Sequence, residues 1–89
     1  MENYSKRVLV TGGAGFIGSH VIRRLLINYP NYLIVNLDKL TYAGNLQNLS
    51  DVDSLPNYRF ERADIVDAEA IRAVFSNFQI TDVIHLAAE

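Results

Sequence analysis

The apolar run Val8-Leu9-Val10 breaks directly into Thr11-Gly12-Gly13-Ala14-Gly15-Phe16-Ile17-Gly18, and this junction constrains the fold more than any other stretch. A strand cannot run on through three closely set glycines, which offer no side chain to pack and lose the most backbone entropy on ordering. Beyond the glycines the apolar period changes. Ile17, Val21 and Leu25 recur at i, i+4 and i+8, Ile22 and Leu26 widen the stripe, and Ser19, Arg23 and Arg24 are expected to face outward, as on an amphipathic helix. The spacing predicts a helix from Phe16 to about Asn28, ended by Tyr29-Pro30-Asn31 because proline cannot continue the hydrogen-bond ladder. The chain therefore opens as strand, glycine turn, helix.

The remaining segments extend this alternation. The first strand is read as Arg7 to Val10, with Lys6 and Arg7 as its solvated start, and a second as Leu33 to Leu37. From Asp38 to Asn57 the pattern is irregular, with room for one short helical turn over Leu46 to Leu49. Tyr58 to Arg62 reads as a third strand with Phe60 its clearest apolar member. Asp67 is a candidate N-cap for a helix whose apolar face is Ala70, Ile71, Val74, Phe75 and Phe78. Val83 to Ala88 reads as a fourth strand running to the chain end. Strands alternating with helices predict an α/β fold: a parallel sheet of about four strands in the order 3-2-1-4, with right-handed crossovers and helices on both faces. Each face then has one long helix over four strands, and the fourth strand is an apolar edge. The stretch 1–89 is expected to be the front part of a longer protein or a truncation.

The glycine turn carries the chemistry. Gly13-x-Gly15-x-x-Gly18 and Gly12-x-x-Gly15-x-x-Gly18 both fit dinucleotide fingerprints, in which backbone rather than side chain meets a pyrophosphate. Gly15 lets the backbone approach, the amides of Phe16 and Ile17 open the helix toward the anion, and Gly18 permits close helix–strand packing. A nucleoside-triphosphate loop is excluded, because Ser19-His20 follows Gly18 where a lysine is needed. Asp38 closes the second strand about 20 residues beyond Gly18, the placement of a carboxylate that accepts from the ribose hydroxyls of NAD and repels the extra phosphate of NADP. Lys39 beside it weakens that exclusion, and a solvated carboxylate opening the loop is the alternative role for Asp38. Asp64, after the third strand, is placed to bond the adenine amino group with Ile65 against the ring, or else to cap a turn. His85, within an apolar strand, reads as a buried structural histidine, and His20 as a helix-flank residue.

Composition bounds the rest. A length of 89 residues with 49% apolar content allows one small unit, and a net charge of -2 with no dense Lys/Arg run argues against nucleic acid or an anionic membrane as partner. There is no cysteine, the two histidines make no metal site, and no apolar run is long enough to span a membrane. Met1-Glu2-Asn3 does not open a secretory signal, so a cytoplasmic location is expected.

The stretch from Val8 to Ser19 resembles the opening of the extended short-chain dehydrogenases/reductases that act on nucleotide sugars, which carry a Rossmann domain. Asn36-Leu37-Asp38-Lys39-Leu40-Thr41-Tyr42-Ala43-Gly44-Asn45-Leu46, with Ala63-Asp64-Ile65 and His85-Leu86-Ala87-Ala88-Glu89, narrows the resemblance to the dTDP-glucose 4,6-dehydratase family. It implies that Gly12, Gly15, Phe16, Ile17 and Gly18 cradle pyrophosphate, and that Asp38, Lys39, Leu40, Thr41, Ala43 and Gly44 surround the adenosine ribose. It further implies that Asp64 and Ile65 hold adenine, and that Leu86, Ala87 and Ala88 line the middle of a tightly held NAD. In that family hydride leaves the sugar C4, water is lost across C5 and C6, and hydride returns to C6. The family's Tyr-x-x-x-Lys base and acidic dehydration pair have no counterpart in these residues, so the chain alone is expected to be catalytically silent and the full-length parent a homodimer. Two other readings stay open: a related nucleotide-sugar epimerase or decarboxylase, and a non-catalytic nucleotide-binding unit that self-associates through its edge strand.

Overall fold

The computed structural model describes residues 3–12, 16–39 and 49–86. The elements run β1 (Lys6–Thr11), α1 (Phe16–Asn28), β2 (Tyr32–Asp38), β3 (Tyr58–Arg62), α2 (Ala68–Phe78) and β4 (Asp82–His85). All pairings are parallel and the order is β3-β2-β1-β4, as the alternation predicts. Strands β1 and β2 each extend one residue beyond the bounds read from the sequence at both ends. The fourth strand is shorter than expected: it stops at His85, Leu86 follows it with one more ladder bond to Thr11, and Ala87 to Glu89 lie outside the described residues.

The period-2 alternation of β1 and β2 divides the core between the two sheet faces. On one side Val8, Val10 and Ile34 meet Ile22 and Leu26 of α1, and on the other Leu9, Leu33, Val35 and Leu37 meet Val74 of α2. The crossover from β3 past β1 to β4 puts the helices on opposite faces. Fully burying one such aliphatic side chain is worth roughly 1.5–3 kcal/mol, so both faces contribute.

Helix α1 is rotated from the face its longest apolar series suggests. Gly18, Ser19, Ile22 and Leu26 are buried, Val21 and Leu25 are half-buried, and Ile17 is 69% exposed. Both corrections have one cause. Gly18 and Ser19 are small, so that side of the helix comes close to the sheet, and Ile17, one residue earlier, is turned away from it. On α2, Phe75 of the expected apolar face is also exposed, while Ile71 and Phe78 pack against the core. On β3 the residue buried is Tyr58, with Phe60 half-buried.

Cover on the α1 face comes partly from an irregular segment. Leu49 and Val52 are buried in the α1-side cluster with Leu55 against it, and consecutive turn bonds carry the backbone from Leu49 to Tyr58. Arg23 of α1 grips Asp51 of this segment with two guanidinium nitrogens, at 2.9 and 3.0 Å. The short helical turn read over Leu46 to Leu49 falls mostly outside the described residues. Arg7, expected to be solvated, instead donates from Nη1 to the Phe78 carbonyl at 3.2 Å, serving the C-terminus of α2, and lies over the Tyr4 ring. At the other end of α2, Asp67 accepts from the Ala70 amide at 3.2 Å, as an N-cap should.

Candidate functional site

Parallel pairing brings the carboxyl ends of all four strands to one rim, where ligands bind in open α/β sheets. The register puts Thr11 beside Leu37 on one side and beside His85 on the other. Backbone bonds then carry the sheet past the strand ends into the candidate site. The Gly12 amide donates to the Leu37 carbonyl at 2.9 Å, Ala63 to Asp38 at 3.2 Å, and Leu86 to Thr11 at 2.9 Å. Gly12, Asp38, Asp64 and Leu86 are thereby set along one line by the same ladder that builds the sheet.

Gly12 takes φ 76°, the left-handed region that glycine occupies at no steric cost. Helix α1 begins four residues on, at Phe16, and carries no acidic side chain in its first turn. The first-turn amides of such a helix suit an anion. Gly18 is buried beneath, at the helix–sheet contact. Of the residues expected at the pyrophosphate, Gly12, Phe16, Ile17 and Gly18 are thus brought to one turn-and-helix unit, while Gly13 and Gly15 lie outside the described residues.

Asp38 ends β2 half-buried, and Lys39 follows it exposed. Asp64 and Ile65 lie half-buried just beyond β3. Asp64 Oδ1 accepts from the Val66 amide at 3.1 Å, so the turn-capping role is filled, while Oδ2 faces Lys39 Nζ at 3.6 Å. Leu40, Thr41, Ala43 and Gly44 fall outside the described residues, as do Ala87 and Ala88; Leu86 is exposed at the end of β4.

Two rim features escape a reading of the sequence. His85 is exposed rather than buried, because β4 is the edge of the described sheet, and its Nδ1 shares a 2.7 Å hydrogen bond with Thr11 Oγ1. Arg62 Nε donates to the Lys39 carbonyl at 3.3 Å, adding a second cation to the β2–β3 end. Both contacts depend on strand register, for which residues 74 and 23 positions apart give no local signal. Among the described residues no cluster of His, Cys, Asp and Glu could hold a metal ion, and no helix is long and apolar enough to cross a membrane.

Known proteins share this arrangement. The chain is 48% identical over 88 residues to the dTDP-D-glucose 4,6-dehydratase of Bos taurus, covering 99% of this chain and 25% of the relative. The crystal structure of the Bacillus anthracis dTDP-glucose 4,6-dehydratase in complex with NAD superposes with a TM-score of 0.91 at 40% identity, over 96% of this chain and 27% of that one. A UDP-Glc/GlcNAc 4-epimerase from Campylobacter jejuni superposes at 0.81 with 29% identity, over 96% of this chain and 25% of that one. The chain spans about a quarter of the length of the curated relatives it matches. The profile of the GDP-mannose 4,6 dehydratase family matches residues 9–89. That match takes in the left-handed glycine, both rim aspartates and every described element from Leu9 on, and the chain belongs to the GDP-mannose 4,6 dehydratase family.

Proposed function

We propose that residues 1–89 form the N-terminal part of the dinucleotide-binding domain of a dTDP-glucose 4,6-dehydratase and hold NAD along the rim. One observation carries the reading: the Gly12 amide is bonded to the Leu37 carbonyl, so a left-handed glycine bend and a half-buried carboxylate, Asp38, sit on adjacent strand ends. The residues suit the group in charge as well as shape. Helix α1 presents first-turn amides to a pyrophosphate with no acid among them, and Asp38 is an acceptor for ribose hydroxyls and a poor neighbour for a further phosphate. Asp64 and Ile65 would take the adenine, and Leu86, with Ala87 and Ala88, the centre of the dinucleotide. Bound there, NAD supplies a hydride acceptor and donor; this chain's residues bind it, orient it and select it.

The relatives named dTDP-glucose 4,6-dehydratase support that sugar nucleotide as the substrate of the full-length enzyme, which we take to be a cytoplasmic homodimer. The base and the acidic dehydration pair are assigned to residues beyond these 89, leaving the chain alone inactive. The epimerase superposition keeps a related nucleotide-sugar enzyme as the second reading.

Titration of the 89-residue chain with NADH and NADPH tests the proposal, and the chain has no tryptophan to interfere with nicotinamide fluorescence. NADH is expected to bind in preference to NADPH, and Asp38→Asn to lose about tenfold in NADH affinity, equivalent to about 1.4 kcal/mol. Binding of neither nucleotide, or an unchanged affinity in Asp38→Asn, refutes it.

A further inference from the structure

Four charged residues meet where β2 and β3 end: Asp38, Lys39, Arg62 and Asp64. The backbone there is stitched by the Ala63 amide on the Asp38 carbonyl and by Arg62 Nε on the Lys39 carbonyl. Across this seam Lys39 Nζ reaches Asp64 Oδ2 at 3.6 Å. The other Asp64 oxygen accepts the Val66 amide, which fixes the carboxylate facing the ammonium.

The position of Lys39 makes this pairing consequential. An ammonium directly after the β2 acid is the group a 2′-phosphate would recruit, and four methylenes give it the reach to comply. In this structure the ammonium is turned across the seam to just beyond β3 instead. We infer that Asp64 is a specificity residue that acts through Lys39: it holds the ammonium just beyond β3, denies a 2′-phosphate that counter-cation, and so reinforces selection of NAD over NADP by Asp38. The inference rests on the dinucleotide site proposed above. It also reverses the expectation that Lys39 weakens the exclusion of NADP.

The size of the effect follows from exposure. The two side chains are 55% and 41% exposed, so the pair is screened and its removal should shift the preference by about threefold to fivefold. Asp64→Asn is the suitable variant, because the amide oxygen can still accept from Val66 and keep the turn. Any loss of an adenine contact in this variant weakens NADH and NADPH alike and cancels in their ratio.

The experiment is a two-by-two cycle on the 89-residue chain, with NADH and NADPH affinities measured for the natural sequence, Asp64→Asn, Lys39→Met and the double variant, and Arg62→Met as a control. Asp64→Asn is expected to lower the NADH-over-NADPH preference about threefold to fivefold, with a smaller effect at high salt. The Lys39→Met background should abolish that shift, and Arg62→Met should leave the preference unchanged. An unchanged preference in Asp64→Asn overturns the inference. So does an equal shift in the Lys39→Met background, which would mean that Asp64 repels phosphate directly. If the natural chain binds neither nucleotide, the functional reading itself fails and this inference goes with it; nucleotide binding without coupling between positions 39 and 64 sinks the inference alone.

Discussion

Gly12 separates two roles that a glycine in a phosphate-binding turn can play, and substitution can tell which one holds. Its amide is already committed to the Leu37 carbonyl at 2.9 Å, so it is not available to a phosphate. Its φ of 76° lies in the left-handed region, which glycine occupies at no steric cost and most other residues only at a penalty. In the proposed site Gly12 therefore serves through its left-handed backbone, and a phosphate would be met by amides other than its own. Gly12→Ala forces an L-residue into the left-handed region at roughly 1–2 kcal/mol, offset only in part by the lower entropy of the unfolded alanine chain. A net loss near 1 kcal/mol lowers Tm by about 4–8 °C in a domain of this size.

Asparagine visits the left-handed region readily, so Gly12→Asn should recover most of that stability. It should recover NADH affinity too, since the bend and not the absent side chain is what matters at this position. Gly12→Ala should bind NADH about tenfold more weakly, because a relaxed bend moves the start of α1. Circular-dichroism melts and NADH fluorescence on the three chains provide the data. If Gly12→Asn restores stability but not binding, the site needs clearance there rather than a bend, and the reasoning is refuted.

Three further outcomes follow from the contacts. The Arg23 guanidinium holds the Asp51 carboxyl below its ordinary pKa, so this pair contributes stability above the ordinary aspartate range that is lost as pH falls through the lowered value; Asp51→Asn should flatten the acid side of a Tm-against-pH curve below about pH 4. Tyr58→Phe removes the phenol that accepts from buried Asn36 Nδ2 at 3.1 Å and should cost about 1–3 kcal/mol in urea unfolding, most of it regained by adding Asn36→Leu; a loss under about 0.5 kcal/mol would contradict the role given to the pair. Val83, 49% exposed on edge strand β4, should promote self-association that Val83→Lys suppresses, and equal sedimentation of the two chains at high concentration would count against this.

Strand order was legible from the alternation of strands and helices, and the β3 and α1 boundaries and the Asp67 cap because each rests on local chemistry: an apolar run, a change of period, a side chain three residues from the amide it caps. The rotation of α1 was not. Its sequence holds two overlapping apolar series, and only the close approach permitted by Gly18 and Ser19 decides that Ile22 and Leu26 face inward while Ile17 does not. The same limit applies at the rim. Asp38 could be read from its place after an apolar run, but the partner of Lys39 could not, since Asp64 becomes its neighbour only through the pairing of Asp38 with Arg62. Leu49 and Val52 gave no periodic signal because an irregular segment buries side chains without repeating itself.

This dependence on register has an energetic consequence for the site. The bonds from Gly12 to Leu37, Ala63 to Asp38 and Leu86 to Thr11 continue the sheet and also fix the rim groups, so among the described residues these parts of the site are ordered by the pairing of the strands. A ligand that grips the rim binds only the paired state and stabilises the whole sheet by RT ln(1 + [L]/Kd), about 2.7 kcal/mol at one hundred times Kd. Domains of this size are typically stable by only about 5–15 kcal/mol, so that is a large share. NAD held as proposed would then be part of what keeps the two sides of the rim together. On one side the chain steps outward from β1 to β3 with Asp38 and Asp64; on the other, β4 offers Leu86 and the Thr11–His85 contact. On the proposed reading, selection of the nucleotide falls to the β2–β3 side, where Asp38, Lys39, Arg62 and Asp64 lie, and the exposure of β4 would not compromise it.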